Sequence, residues 1–284
     1  MSTSRILLLG AIAGSTIFLG LPIGRLRNLS PKARALLNAI ATGVLLFLFV
    51  DVMSNGLSPV EDAVHAAART HDGSWVTVAA RGAIFLVAFG VGLLGLVYYD
   101  RWLLRRDAPA KFGPGAAAVD ELVVRRSVVA RLSEAQRLAL FIALGIGLHN
   151  FSEGLAIGQS AASGEVQLAV LLIIGFGLHN ATEGFGIVAP LSGEAVLPSW
   201  GFLVTMGVIG GGPTFVGTLV GQAWVNTTLG MAFLALAGGS ILYVVVQLLR
   251  VAQKLDQQEM LMWGLLIGLF AGFATDLVLV AAGT

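Results

Sequence analysis

Residues 195–249 read AVLPSWGFLVTMGVIGGGPTFVGTLVGQAWVNTTLGMAFLALAGGSILYVVVQLL, and none of them carries a formal charge. A helix needs about 20 mostly apolar residues to cross a hydrocarbon core of about 30 Å. This run is therefore long enough for two crossings. Gly221-Gln222-Ala223-Trp224-Val225-Asn226-Thr227-Thr228 interrupts it and reads as a tight interfacial turn. Transmembrane strands would alternate polar and apolar residues at every second position, and this run does not.

The pattern recurs along the whole chain. Residues 6–22, 35–50, 82–99, 138–152, 166–182 and 260–275 also lack Asp, Glu, Lys and Arg. Only 12% of the 284 residues are charged, against roughly 25% in a soluble domain. The reading is an all-α membrane protein forming one transmembrane domain of eight helices. The spans fall at about 5–22, 35–52, 81–99, 138–158, 166–189, 199–221, 227–249 and 260–282. The first has the length of a signal-peptide core, but it is read as a span because seven more follow and the count is then even. No cysteine is present, which excludes disulfides and thiolate metal sites.

Basic residues gather in alternate connections. The first holds Arg25, Arg27, Lys32 and Arg34, and the seventh holds Arg250 and Lys254. The third, about 100–137, holds Arg101, Arg105, Arg106, Lys111, Arg125, Arg126, Arg131 and Arg137; the fifth holds none. Fourteen of seventeen basic residues thus share one side, against Arg5, Arg69 and Arg81. Cytoplasmic loops collect Lys and Arg, so the expectation is an integral protein of the plasma or inner membrane with both termini outside. In the cytoplasmic connection, DAPAKFGPGAAA reads as a linker and VDELVVRRSVVARLSEAQR as a basic surface helix. Outside, SPVEDAVHAAART suggests a short separate helix, with Ser58 and Glu61 as its capping box.

Chemistry enters with an internal repeat. The fourth span reads GIGLHNFSEGLAIG (145–158) and the fifth GFGLHNATEGFGIV (175–188), identical at eight of fourteen positions. His149 and Glu153 lie four residues apart, which stacks them on one helix face about 6 Å apart along the axis. The same holds for His179 and Glu183. A short outside turn joins the two spans, so they should pack antiparallel with their midpoints at one depth. Two imidazoles, two carboxylates and two carboxamides would then converge, and such nitrogen and oxygen donors suit zinc or another first-row divalent cation. Asn150 and Asn180 point about 100° away from the histidines, placed to ligate a second ion or to orient a glutamate.

An acid at mid-bilayer costs about 2.5–3.5 kcal/mol on insertion scales. A divalent cation would cancel both charges; the plainer alternative is interhelical hydrogen bonding that only holds a structural bundle together. The zinc-protease pattern His-Glu-x-x-His is absent because Asn follows each histidine. A membrane-embedded metal-dependent hydrolase would therefore lack a dedicated base. In the sixth span Gly210-Gly211-Gly212-Pro213 should free backbone groups, either as a simple kink or beside a pathway.

These residues resemble the ZIP (Zrt/Irt-like) divalent metal transporters, on span count, outward termini, the long third connection and above all HNFSEG and HNATEG. The resemblance implies inverted three-helix repeats flanking the fourth and fifth helices, and a metal site between those two. It further implies movement of zinc, iron or manganese into the cytoplasm, with the metal as cargo and no permanent cofactor. By motif position the ligands are His149, Asn150, Glu153, His179, Asn180 and Glu183. Ser152 and Thr182 stand where the family has proline. Gly212 stands where a glutamate often serves a second metal, and the third connection contains no histidine.

Asp51 and Asp276, at the expected outer ends of the second and eighth spans, are candidates for an entry route, as is Gln159 beyond the fourth-span motif. His65 and His71 lie outside, as loose metal collectors or ordinary solvated histidines. The expected partners are the metal ion and the lipid bilayer, with no nucleic acid. A homodimer is an allowed assembly.

Overall fold

The computed structural model describes residues 3–27, 29–69, 74–106, 132–162, 177, 180–192, 194–223 and 226–281. Among these every regular element is helical. Helix α1 (Thr3–Ser15) tightens into 3₁₀ turns at Thr16–Leu19 and Leu21–Arg25. Then come α2 (Pro31–Arg69), α3 (Trp75–Arg106) and α4 (Glu134–Ala162). Residues 180–188 form α5 as described, closed by a 3₁₀ turn at Ala189–Leu191. Helices α6 (Trp200–Gly221), α7 (Thr227–Leu255) and α8 (Gln258–Ala281) complete the bundle. Seven helical segments among the described residues are long and apolar enough to cross a membrane. The fifth expected span, 166–189, is described only at 177 and 180–189. Residues 107–131 of the third connection, with the linker and most of the expected surface helix, lie outside the described residues.

Helix starts follow local chemistry. Ser133 accepts from the Gln136 amide while Gln136 Oε1 accepts from the Ser133 amide, both at 3.1 Å, a capping box that opens α4. Ser199 caps α6 and Asn226 caps α7 in the same manner. The turn expected between the sixth and seventh spans is where α6 ends and α7 begins.

Two expectations are corrected. No separate outer helix starts at Ser58: α2 runs unbroken for 39 residues, so Ser58 is interior and caps nothing. Pro59 is tolerated inside it, and its carbonyl accepts from Arg81 Nη1 of α3 at 2.8 Å. The alanine-rich end (Ala63, Ala66, Ala67, Ala68) favours helix over a break. Asp51 therefore lies near the middle of α2 rather than at its end. The Gly210–Pro213 stretch lies inside α6, which stays helical through Pro213.

Packing carries an internal two-fold relation. Helix α3 packs on α7 and α8 packs on α2, as exchanging the first and last three helices requires. Backbones meet closely where glycines permit. A Cβ on Gly154 of α4 would strike the Thr214 carbonyl of α6, and one on Gly184 of α5 would strike the Ile17 carbonyl after α1. Reciprocally, Gly217 abuts Phe151 and Leu155, while Gly20 abuts Ala181 and Phe185. Each motif helix is thus pressed against the first helix of one half by the same three contacts. Ile6 of α1 packs on Ala161 of α4, so α1 begins beside the end of α4. Contacts advance together along α1 with α5 and along α6 with α4, which makes α4 and α5 antiparallel.

Candidate metal site

Five of the six motif residues are described, and all five are buried: His149 at 4% exposure, Glu153 at 5%, and Asn150, Asn180 and Glu183 at 0%. His179 lies outside the described residues. On α4 the four-residue spacing brings His149 Nε2 to 3.2 Å from Glu153 Oε1. Asn150 Nδ2 reaches across to α5 and donates to Glu183 Oε2 at 3.0 Å. This contact joins the two motif copies.

The asparagines also tie the motif helices to their neighbours. Asn150 Nδ2 donates to the Gly210 carbonyl of α6, and Asn180 Nδ2 to the Ala13 carbonyl of α1, each at 3.0 Å. Both bonds spend amide hydrogens and leave the side-chain oxygens available. Among the described residues Asn150 Oδ1, Asn180 Oδ1 and Glu153 Oε2 are buried and accept no hydrogen bond. Buried oxygens without donors are costly, and a cation is one kind of partner such oxygens accept. As they stand, no three His, Asp or Glu side chains among the described residues enclose a point at ligating distance.

Ala13 was not among the residues singled out from the sequence, and Gly210 was singled out only as part of the Gly210–Pro213 stretch. A signal was present: Gly10-x-x-Ala13-Gly14 and Gly207-x-x-Gly210-Gly211 are the same small-residue pattern in two spans, and Gly14 and Gly211 abut each other's carbonyls. The Gly210–Pro213 stretch thus borders the site through the carbonyl that receives Asn150.

The route candidates separate. Asp51 is partly buried, bonded by Asn55 Nδ2 at 3.0 Å, and lies within electrostatic range of both His149 and Asp276. Asp276 is itself half-buried on α8. Gln159 is exposed near the end of α4, and His65 is exposed on α2. His71 lies outside the described residues.

A family model described as ZIP Zinc transporter matches residues 117–279, which include both motif copies and more than half the chain. The chain belongs to the ZIP zinc transporter family. No curated protein matches it. Membership in the ZIP family makes the chain an integral membrane protein of a family whose activity is divalent metal-ion transport and whose members are transporters, not enzymes.

Proposed function

We propose that this chain carries zinc foremost, with iron and manganese also accepted, into the cytoplasm through a site halfway across the bilayer. His149, Asn150 and Glu153 act there with His179, Asn180 and Glu183. The observation that carries the reading is the 3.0 Å bond from Asn150 to Glu183, beside the 3.2 Å approach of His149 to Glu153. It draws two buried carboxylates toward one centre, where ionised groups need an opposite charge, and a divalent cargo supplies it. Asp51 and Asp276 favour cations approaching from outside, with Gln159 farther out, and the basic connections face the cytoplasm. The ion is cargo, so no resident cofactor is required; a homodimer is compatible with the large lipid-facing surfaces of α3 and α8.

The test is uptake of zinc, manganese and ferrous iron by vesicles containing the purified protein. Undiminished uptake by the Glu153→Ala, Glu183→Ala double variant would sink the site. Binding needs neutral imidazoles and ionised carboxylates, so protons compete with metal. Uptake should fall as the pH drops through the ordinary imidazole range near about 6.5, and a rise would contradict the ligand set.

A further inference from the structure

A cavity of about 710 Å³ opens at the basic end of the bundle, between the start of α2, the start of α4 and the end of α7. Arg34, Arg137, Arg250 and Lys254 line it, with Glu134 and Glu194 as the only carboxylates among the described residues. Both acids are engaged: Glu194 with Arg34 at 3.3 Å, and Glu134 with Lys254 at 3.6 Å. Among the described residues neither Arg137 nor Arg250 has a carboxylate within ion-pair distance. The capped N-terminus of α4, a 29-residue helix, opens into the same space through Ser133 and Ala135. Helix N-termini attract anions. Deeper than the charges, along α4 and α7, the lining consists of Leu138, Phe141, Gln247 and Tyr243.

A surplus of two guanidinium groups beside a helix N-terminus is a good receptor for an oxyanion. We infer that this cavity binds a phosphate group, held between Arg137 of α4 and Arg250 of α7. Guanidinium groups pair with phosphate through two parallel hydrogen bonds, and basic pockets between helices on the cytoplasmic side suit acidic lipid headgroups. The deeper lining adds room for the glycerol and first methylenes of a lipid, while a soluble polyphosphate would use the rim alone. Arg137 lies twelve residues before His149 on one helix, about 18 Å along its axis. An anion bridging Arg137 and Arg250 therefore links the motif helix to α7. The inference stands independently of which metal, if any, the midplane groups hold.

The experiment measures binding to the purified full-length protein in a neutral detergent. Its probes are dioctanoyl phosphatidylglycerol, dioctanoyl phosphatidylcholine and inorganic pyrophosphate, read by native mass spectrometry and by the shift in Tm. Phosphatidylglycerol should bind and raise the Tm, phosphatidylcholine should not, and Arg137→Gln with Arg250→Gln should weaken binding by about tenfold or more. Arg27→Gln with Arg101→Gln, which removes exposed charge outside the cavity, should leave binding intact. Competition by pyrophosphate at similar concentration assigns the site to soluble phosphates; its failure to compete assigns it to lipid. Should the glutamine pair not fold, Arg137→Lys with Arg250→Lys keeps the charge, loses the fork and should still bind more weakly. The inference is overturned if wild type binds neither probe, binds phosphatidylcholine equally well, or loses binding only in the Arg27/Arg101 pair.

Discussion

The two copies of His-Asn-x-x-Glu-Gly share a sequence and share their packing, yet their polar groups do different work. Gly154 and Gly184 press on equivalent carbonyls, and Asn150 and Asn180 donate to equivalent backbone oxygens of α6 and α1. The symmetry stops at the asparagines. Asn150 also donates to Glu183 of the other helix, whereas among the described residues Asn180 makes no matching bond to Glu153. Backbone contact obeys the internal two-fold, and the hydrogen bond between the two motif helices departs from it.

The largest effects should come from the shared part. Val in place of Gly154 or of Gly184 forces a side chain into a backbone carbonyl that cannot move aside. Each should cost about 3 kcal/mol or more, seen as lost monodisperse protein and lowered Tm. One tolerated and one ruinous substitution would break the equivalence. Next, Glu153→Ala and Glu183→Ala should each reduce metal affinity by more than the roughly 10–100-fold typical of losing a supporting group. Isothermal titration with zinc checks this. Asn150→Ala should fall within that roughly 10–100-fold band, because it releases Glu183 as well as Gly210. Asn180→Ala should weaken metal binding less, and equal losses in the two variants would erase the distinction. The smallest expected effect is on stability: Asn180→Ala removes one buried bond to Ala13, worth about 1 kcal/mol, and thermal unfolding would register it.

How much of this was legible in the sequence depends on which kind of signal marked each part. Spans were legible because charge is excluded from hydrocarbon, so Arg and Lys bracket them. Their ends were less so: Asp51, Ser58 and Pro59 all look like terminators, but α2 absorbs them, with Arg81 of α3 donating to the Pro59 carbonyl. The polar centre was legible because a repeated acid in a membrane helix demands a partner. What receives Asn150 and Asn180 was only half marked: the Gly210–Pro213 run pointed to freed backbone groups, whereas Ala13 contributes a carbonyl with no such sign. Backbone acceptors leave no mark beyond the small residues that let helices approach. The crossed bond from Asn150 to Glu183 was likewise beyond spacing rules, which relate residues along one helix and not between two.

Helix α2 is about 58 Å long at 1.5 Å per residue, nearly twice the hydrocarbon thickness, and it behaves as a mast. Because Arg81 lashes it to α3 at Pro59, about 12 Å from Asp51 along the axis, a force on the Arg69 tip is carried toward Asp51 by two helices at once. A binder gripping that tip would have mechanical purchase on the carboxylate within electrostatic range of His149 without reaching the middle of the bundle.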